Sequence, residues 1–192
     1  MSPAADDPAE LPAPAGATST ARRGRTLVLL RHAKAVTHGG GVDLGRALSV
    51  RGTSDATAAG TWLAQAGLHA DMVVCSPSVR TRETWQAAVE GGASATAVEE
   101  DRRVYEAGAD ELLDVLRETS SEVQVLVLVG HAPGVPALAT MLADPATSDA
   151  DAVAAVRQKY PTNGLCRLEY DGAWADLGPA GAALIEFAVP RA

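Results

Sequence analysis

The feature that most constrains this fold is the stretch of residues 26–33, which reads TLVLLRHA. Residues 27–30 form an uninterrupted apolar run, which is typical of a strand buried on both faces of a parallel sheet. The run stops at Arg31 and His32, and polar side chains at that point lie where an open α/β sheet binds its ligands. A structural histidine is the alternative interpretation of His32, and this stretch leaves both open.

A second apolar run, residues 71–75 (DMVVC), leads directly into Ser76 and Pro77. Serine as N-cap with proline at the first helical position predicts a helix from Pro77 to about Val89. The free backbone amides of such a helix point into the crevice beyond the strand ends. Arg80 lies in its first turn, and at most one of Arg80 and Arg82 can face the crevice.

The longest apolar run, residues 123–129 (VQVLVLV), predicts a central strand that ends at His131 before a helix through Leu142. Strand and helix patterns alternate along the whole chain, which predicts a three-layer α/β/α sandwich with a mostly parallel central sheet. The remaining predicted elements are a helix after the N-cap Ser49 that closes at Gly67, strands at 95–98, 165–170 and 184–189, and helices at 110–118 and 149–158.

Composition limits the possible partners. The 192 residues carry a formal net charge of −8, so broad attraction to nucleic acid or to an anionic membrane is not expected, and an anion site needs locally concentrated positive charge. Residues 1–24 lack apolar periodicity and predict a disordered tail before one domain at 25–192. With neither a signal peptide nor a membrane span indicated, the sequence predicts a cytoplasmic protein, with a monomer favoured.

Neither cysteine, Cys75 nor Cys166, has a Cys or His partner at metal-ligand spacing, so both are predicted to be buried free thiols. We expect no metal and no cofactor. The positive charge that an anion would need is supplied instead where three strands end. Two imidazoles, two guanidiniums and a helix N-terminus at one sheet edge suit a doubly charged tetrahedral oxyanion, so phosphate is the predicted ligand.

Three segments in this order carry a resemblance to a known family: LLRHA, SPSVRTRET and VGHAPG. They resemble the signature segments of the histidine phosphatase superfamily, which has the phosphoglycerate mutase-like fold. The closer similarity is to the SixA-type phosphohistidine phosphatase branch. RHAKA, the D-x-x-R-x-L pattern that includes Asp43 and Arg46, KYPTNG and the ending EFAVPR resemble that branch, over residues 26–191.

The resemblance implies a role for each matching residue. His32 would be the nucleophile that forms a phosphohistidine intermediate. Arg31, Arg80 and His131 would bind the phosphoryl oxygens. The neighbouring guanidiniums should also disfavour protonation of His32, which leaves a ring nitrogen free to attack. Ser76 is a further candidate for substrate binding, although helix capping explains it equally well.

Glu106, in VYEAG, is the candidate acid for the leaving group, and a solvated loop carboxylate is the alternative interpretation. The loop from His38 to Arg46 faces the same pocket, so Arg46 is a candidate substrate-binding residue. Ala132 stands where the SixA-type branch usually has Asn, so a hydrogen bond that orients His131 is either missing or supplied elsewhere.

The resulting hypothesis is a metal-independent phosphohistidine phosphatase that acts on a phosphorylated protein or a small phosphorylated metabolite. A broad small-molecule phosphomonoesterase is the alternative enzyme. A phosphate-binding module without turnover is a third possibility. A mutase is disfavoured because the chain has no extended insertion that could close over the substrate and exclude water.

Overall fold

The computed structural model describes residues 24–37 and 42–192. The predicted tail at 1–24 lies outside this description apart from Gly24, and so do His38 and the three glycines that follow it. Within the described ranges, none of the helices combines the length and apolarity needed to cross a lipid bilayer.

Six strands form one sheet in the order β3-β2-β4-β1-β5-β6. Their bounds are β1 Arg25–Arg31, β2 His69–Cys75, β3 Ser94–Glu100, β4 Val125–Gly130, β5 Leu165–Tyr170 and β6 Ala183–Ala188. The pairs β1–β4, β4–β2 and β2–β3 are parallel, whereas β5 runs antiparallel to both β1 and β6. β5 is the one reversed strand of this sheet, which confirms the mostly parallel arrangement that the sequence predicts.

Five helices cover the two faces of the sheet: α1 Val50–Gln65, α2 Val79–Glu90, α3 Ala109–Arg117, α4 Gly134–Leu142 and α5 Ala150–Gln158. Apolar residues of α1 and α2 pack with one set of strand side chains, and those of α3, α4 and α5 pack with the other set. The predicted three-layer α/β/α sandwich is therefore confirmed.

The central strand β1 contributes to both cores. Leu27 and Leu29 point to the side of α3, α4 and α5, while Val28 and Leu30 point to the side of α1 and α2. All four are at most 1% exposed. Successive side chains of a strand alternate between faces, so a strand between two helix layers must be apolar at every position.

The two helix starts predicted from serine residues have different outcomes. Ser49 caps α1 as predicted, since its hydroxyl accepts a hydrogen bond from the Gly52 amide at 3.1 Å. Ser76 as the cap of α2 is wrong: the helix begins at Val79 and Ser78 is the N-cap. The Ser76 amide still donates to the carbonyl of Val129 in β4, so the chain has not left the sheet there.

Helices α1 and α2 cross closely through a glycine. A Cβ built on Gly60 of α1 would lie 1.8 Å from the carbonyl oxygen of Ala88 in α2. No side chain fits at that separation. This close crossing seats α2 against the sheet, and α2 is the helix that carries Arg80.

Candidate active site

A cavity of about 680 Å³ opens at the carboxyl ends of β1, β2 and β4, which are neighbours in the sheet. It brings together residues from separate parts of the sequence: Arg31, His32, Lys34, Asp43, Arg46, Arg80, Glu106 and His131. The convergence of three strand ends that the sequence predicts is therefore present. Four cationic side chains in one cavity supply the local positive charge that this acidic protein needs for an anion.

His32 follows β1 directly and is 8% exposed. Its Nδ1 lies 2.7 Å from the carbonyl oxygen of Ala33. A carbonyl can only accept, so Nδ1 carries the proton and the lone pair of the neutral ring is on Nε2. Burial lowers the pKa of His32 to about 4, and the charges of Arg80 and Arg31 act in the same direction. The predicted direction of this shift is confirmed, but burial is its larger cause.

His131 follows β4, and its ring centroid lies 5.2 Å from that of His32. Its Nε2 is 2.8 Å from the hydroxyl of Ser76. Burial, followed by the proximity of His32, lowers the pKa of His131 to about 3, so this ring is also neutral at ordinary pH. When the Ser76 hydroxyl donates to Nε2, the ring proton is on Nδ1 and remains available as a donor.

Ser76 itself is fully buried and belongs to the β2–α2 connection behind His131. It is absent from the cavity lining. From this position the Ser76 hydroxyl forms a hydrogen bond with His131. This contact can orient His131, which Ala132 cannot do through its side chain. Ala132 lies on the cavity wall and is exposed.

Residues 160–164 of the KYPTNG sequence, here named segment 160–164, hold Arg31 in place. One of its Nη atoms donates to the carbonyl of Tyr160 at 2.6 Å, and its backbone amide donates to the carbonyl of Gly164 at 2.9 Å. Burial lowers the pKa of Arg31, but guanidinium remains charged at any ordinary pH. These contacts fix the direction of the side chain from β1 into the cavity.

Arg80 lies in the first turn of α2 and is 4% exposed, whereas Arg82 is exposed on the other side of the helix. Two nitrogens at the end of the Arg80 guanidinium donate to Asp43: Nη1 to its carbonyl at 2.8 Å and Nη2 to its carboxylate at 2.9 Å. Asp43 thus occupies the edge of the guanidinium that carries Nη1 and Nη2, and Nε has no hydrogen-bond partner among the described residues.

Asp43 was not singled out as a site residue by its sequence pattern, yet it connects three side chains. Its carboxylate accepts from Arg80, from Nε of Arg46 at 2.7 Å and from the hydroxyl of Tyr105 at 2.8 Å. The Tyr105 hydrogen bond is the largest cause that lowers the pKa of Asp43 to about 2, and the same bond raises the pKa of Tyr105. Asp43 is therefore an anion throughout the physiological range.

Six buried side-chain atoms of the described residues have no hydrogen-bond partner, and three of them belong to residues that line this cavity: Nε of Arg31, Nε of Arg80 and Nδ1 of His131. A buried donor without an acceptor costs about 1–3 kcal/mol, so folded proteins rarely retain one. Three of the six lie around one cavity that also holds four cationic side chains, and this combination favours an anionic ligand with several acceptor oxygens. A phosphoryl group has that number of oxygens and the matching charge.

Glu106 lies on the same cavity wall, in the connection from Val104 to α3. Its side chain is exposed, and its backbone φ of 60° is in the left-handed region. A residue with a side chain pays about 1–2 kcal/mol for that conformation. The fold therefore holds this carboxylate at the cavity mouth at a cost in backbone energy. Across residues 24–37 and 42–192, no three His, Cys, Asp or Glu side chains are grouped closely enough to hold a metal ion.

Comparisons with known proteins identify the family. The sequence pattern of the histidine phosphatase superfamily (branch 1) matches residues 27–143. An uncharacterised protein of Mycobacterium tuberculosis is 37% identical over 163 residues, which are 84% of this chain and the whole of that protein. A SixA-type structure from Nakamurella multipartitia superimposes with a TM-score of 0.78 at 36% identity, covering 88% of this chain and 98% of that one.

The protein histidine phosphatase SixA, solved with tungstate, shares the fold with a TM-score of 0.70 at 16% identity, over 86% of this chain and 97% of that one. The matched region begins in β1 and ends beyond α4, so it contains every strand end that forms the cavity. On these grounds the chain belongs to the histidine phosphatase superfamily and, within it, to the SixA-type branch.

Proposed function

We propose that this protein removes the phosphoryl group from phosphohistidine through a covalent intermediate on His32, and that residues 25–192 are its catalytic domain. The family supports a phosphatase. The observation that carries the residue roles is the neutral His32 ring, which has a free Nε2 and shares one cavity with Arg31, Arg80 and His131.

In the first step, the lone pair on Nε2 of His32 attacks phosphorus and a new N–P bond forms. The P–N bond of the substrate breaks, its electron pair goes to the substrate nitrogen, and the substrate ring, which carries a proton on its other nitrogen, leaves as neutral imidazole. Charge spreads over the three phosphoryl oxygens, and donors from Arg31, Arg80 and His131 stabilise it there. In the second step, water attacks the phosphorylated His32. The N–P bond breaks, inorganic phosphate leaves, and the His32 ring returns to its neutral form.

Two observations favour phosphohistidine as the substrate. The SixA-type branch includes a protein described as a protein histidine phosphatase. The cavity is also open and far larger than a phosphoryl group, so the leaving group can remain attached to a protein. A P–N bond to imidazole needs less proton assistance than a P–O bond to an alcohol, so an exposed Glu106 is sufficient for this substrate.

The second candidate is a broad small-molecule phosphomonoesterase, and the position of Glu106 favours it. This carboxylate lines the same cavity as His32 and is held there by a left-handed backbone. A carboxylic acid at that place can protonate the oxygen of an alkyl leaving group. Arg46 adds a cation at the rim and would contact substrate in either case.

The deciding experiment compares wild type, His32→Ala and His69→Ala on a phosphohistidine protein, a panel of phosphorylated metabolites and an aryl phosphate. His69 is exposed on β2 and serves as the matched control. We expect His32→Ala to lose at least about 1000-fold in kcat and His69→Ala to match wild type. Acid-quenched wild type should carry phosphate on His32. Equal rates in wild type and His32→Ala would exclude the proposed nucleophile.

Glu106→Gln separates the two candidate functions. The variant should lose about 100-fold on alkyl phosphates and little on phosphohistidine or aryl phosphate, whose leaving groups need less protonation. Equal losses on all substrates would argue against Glu106 as a leaving-group acid. We also expect EDTA to leave the rates unchanged, because guanidinium groups rather than a metal ion balance the phosphoryl charge.

A further inference from the structure

Segment 160–164 holds the backbone of two proposed site residues, the phosphoryl-binding Arg31 and the nucleophile His32. The Asn163 amide donates to the carbonyls of Arg31 and His32, each at 3.1 Å. On the other side, the Gly164 carbonyl accepts from the Arg31 amide. Thr162 lies on the wall of the same cavity. The position of this segment therefore sets the position of the strand end that carries the chemistry.

Segment 160–164 is in turn held by the residues that follow β6. The Asn163 side-chain amide donates to the carbonyl of Pro190 at 3.0 Å and to that of Asp55 in α1 at 2.7 Å. The Arg191 guanidinium forks between two acceptors, the Asp55 carboxylate at 2.9 Å and the Thr162 carbonyl at 3.0 Å. Arg191 thus ties the segment to helix α1.

The conformation of Asn163 needs this support. Its φ of 62° is in the left-handed region, and the residue is completely buried. The Asp55 carboxylate is only 3% exposed, so its hydrogen bonds are shielded from water and stronger than those on the surface. A charged hydrogen-bond network that is anchored on a buried carboxylate and meets a left-handed backbone position is typical of residues that hold a site in place.

We propose that Arg191 is a positioning residue for the active site: through Thr162 and Asn163 it fixes Arg31 and His32 in the geometry that binds and attacks the phosphoryl group. This inference rests on the proposed function for its kinetic readout. Arg191 is not among the residues that line the cavity. Displacements well below 1 Å at a reacting group already change rates, and about 1 Å can cost 100-fold.

Arg51 gives a matched control. It pairs with the same Asp55 carboxylate at 3.6 Å, but its side chain is 68% exposed, and within the described part of the chain it makes no hydrogen bond or ion pair to segment 160–164. Arg51→Ala removes the same charge from the same partner without releasing the segment. Arg191→Lys keeps the charge but cannot fork between Asp55 and Thr162, since an ammonium lacks the planar pair of donors.

The experiment measures kcat/KM and the affinity for inorganic phosphate by calorimetry for wild type and the three variants. We expect Arg191→Ala to lose about 10- to 100-fold in kcat/KM and to bind phosphate more weakly, Arg191→Lys to recover part of both, and Arg51→Ala to match wild type. Wild-type values for Arg191→Ala, or an equal loss in Arg51→Ala, would overturn the proposal.

Two further measurements keep the outcome decisive. If Arg191→Ala does not fold, Arg191→Gln tests the same connection, because glutamine keeps part of the apolar side-chain stem and loses the charged fork to Asp55 and Thr162. It should show the same weakened phosphate binding, and unchanged binding would refute the proposal. If wild type hydrolyses no substrate, the proposed function fails, while the phosphate affinities still decide whether Arg191 positions the site.

Discussion

Replacing His32 by Asn should make the free energy of unfolding less sensitive to acid. The folded protein buries His32 as a neutral imidazole, whereas the unfolded chain can take up a proton there, so acid favours the unfolded state. Between the ordinary pKa of 6.5 and the lowered pKa of about 4, the unfolded state binds a proton at this residue and the folded state does not. Stability therefore falls as the pH drops through this window, and the contribution is fully recovered above about pH 6.5.

The size of the effect follows from the two pKa values. At about pH 4.5 an unfolded His32 is almost fully protonated, whereas the folded ring is mostly neutral. One pKa unit corresponds to about 1.36 kcal/mol, so the imidazole lowers the free energy of unfolding by about 2 kcal/mol at that pH. His32 is 8% exposed, so solvent screening reduces this little. Removing His32 also relieves the repulsion that lowers the pKa of His131, which adds in the same direction.

Urea unfolding at about pH 7 and about pH 4.5 measures the effect. Wild type should lose about 2 kcal/mol more than His32→Asn between the two conditions, and His69→Asn, which changes an exposed imidazole, should behave as wild type. In addition, the NMR titration of the His32 ring in wild type should have its midpoint near 4. The reasoning is refuted if wild type and His32→Asn lose the same stability, or if the ring titrates near 6.5.

Three other substitutions test the supporting contacts. Ser76→Ala leaves Nε2 of His131 without its hydrogen-bond partner. It should lower kcat/KM about 10- to 100-fold in kinetic assays, and it should lower the free energy of unfolding in urea by less than about 1.5 kcal/mol. Asp43→Asn should lower the free energy of unfolding by about 1 kcal/mol at about pH 7, a modest loss because the carboxylate is 41% exposed and solvent screens its ion pairs. The loss should disappear as the pH falls from about 4 towards 2, where Asp43 of wild type takes up a proton. Gly60→Ala forces α1 away from α2 and should cost about 2–3 kcal/mol in urea unfolding, whereas Gly67→Ala, at a φ of 68° with open space around it, should cost only about 1 kcal/mol.

Much of the fold could be predicted from the sequence because its strands are buried on both faces. A strand such as β1, apolar at every core position, has no other place than the middle of an α/β sandwich. The start of α2 was not predictable to the residue. Ser76 and Ser78 have the same capping chemistry, and what separates them is a tertiary contact: Ser76 stays bonded to β4 and to His131.

The site residues on strand ends could be predicted for a similar reason. Arg31 ends β1, His32 follows it, and His131 follows the parallel neighbour β4, so the topology of an open sheet places them at one edge. Asp43 could not be placed in this way. It lies 37 positions from Arg80 in the chain, in the short 3-10 turn Asp43–Gly45, and nothing in the local pattern says which guanidinium that turn meets.

Asp43 also explains how an acidic protein prepares a cation for phosphate. A free guanidinium could turn any of its edges towards a ligand, and ordering it would cost about 1–2 kcal/mol of side-chain entropy at binding. Here Asp43 takes one edge of Arg80 during folding, so the guanidinium is already ordered at the cavity before the substrate arrives. Ion pairing with Asp43 offsets one positive charge of the site, but it also moves the entropy cost of ordering Arg80 from binding to folding.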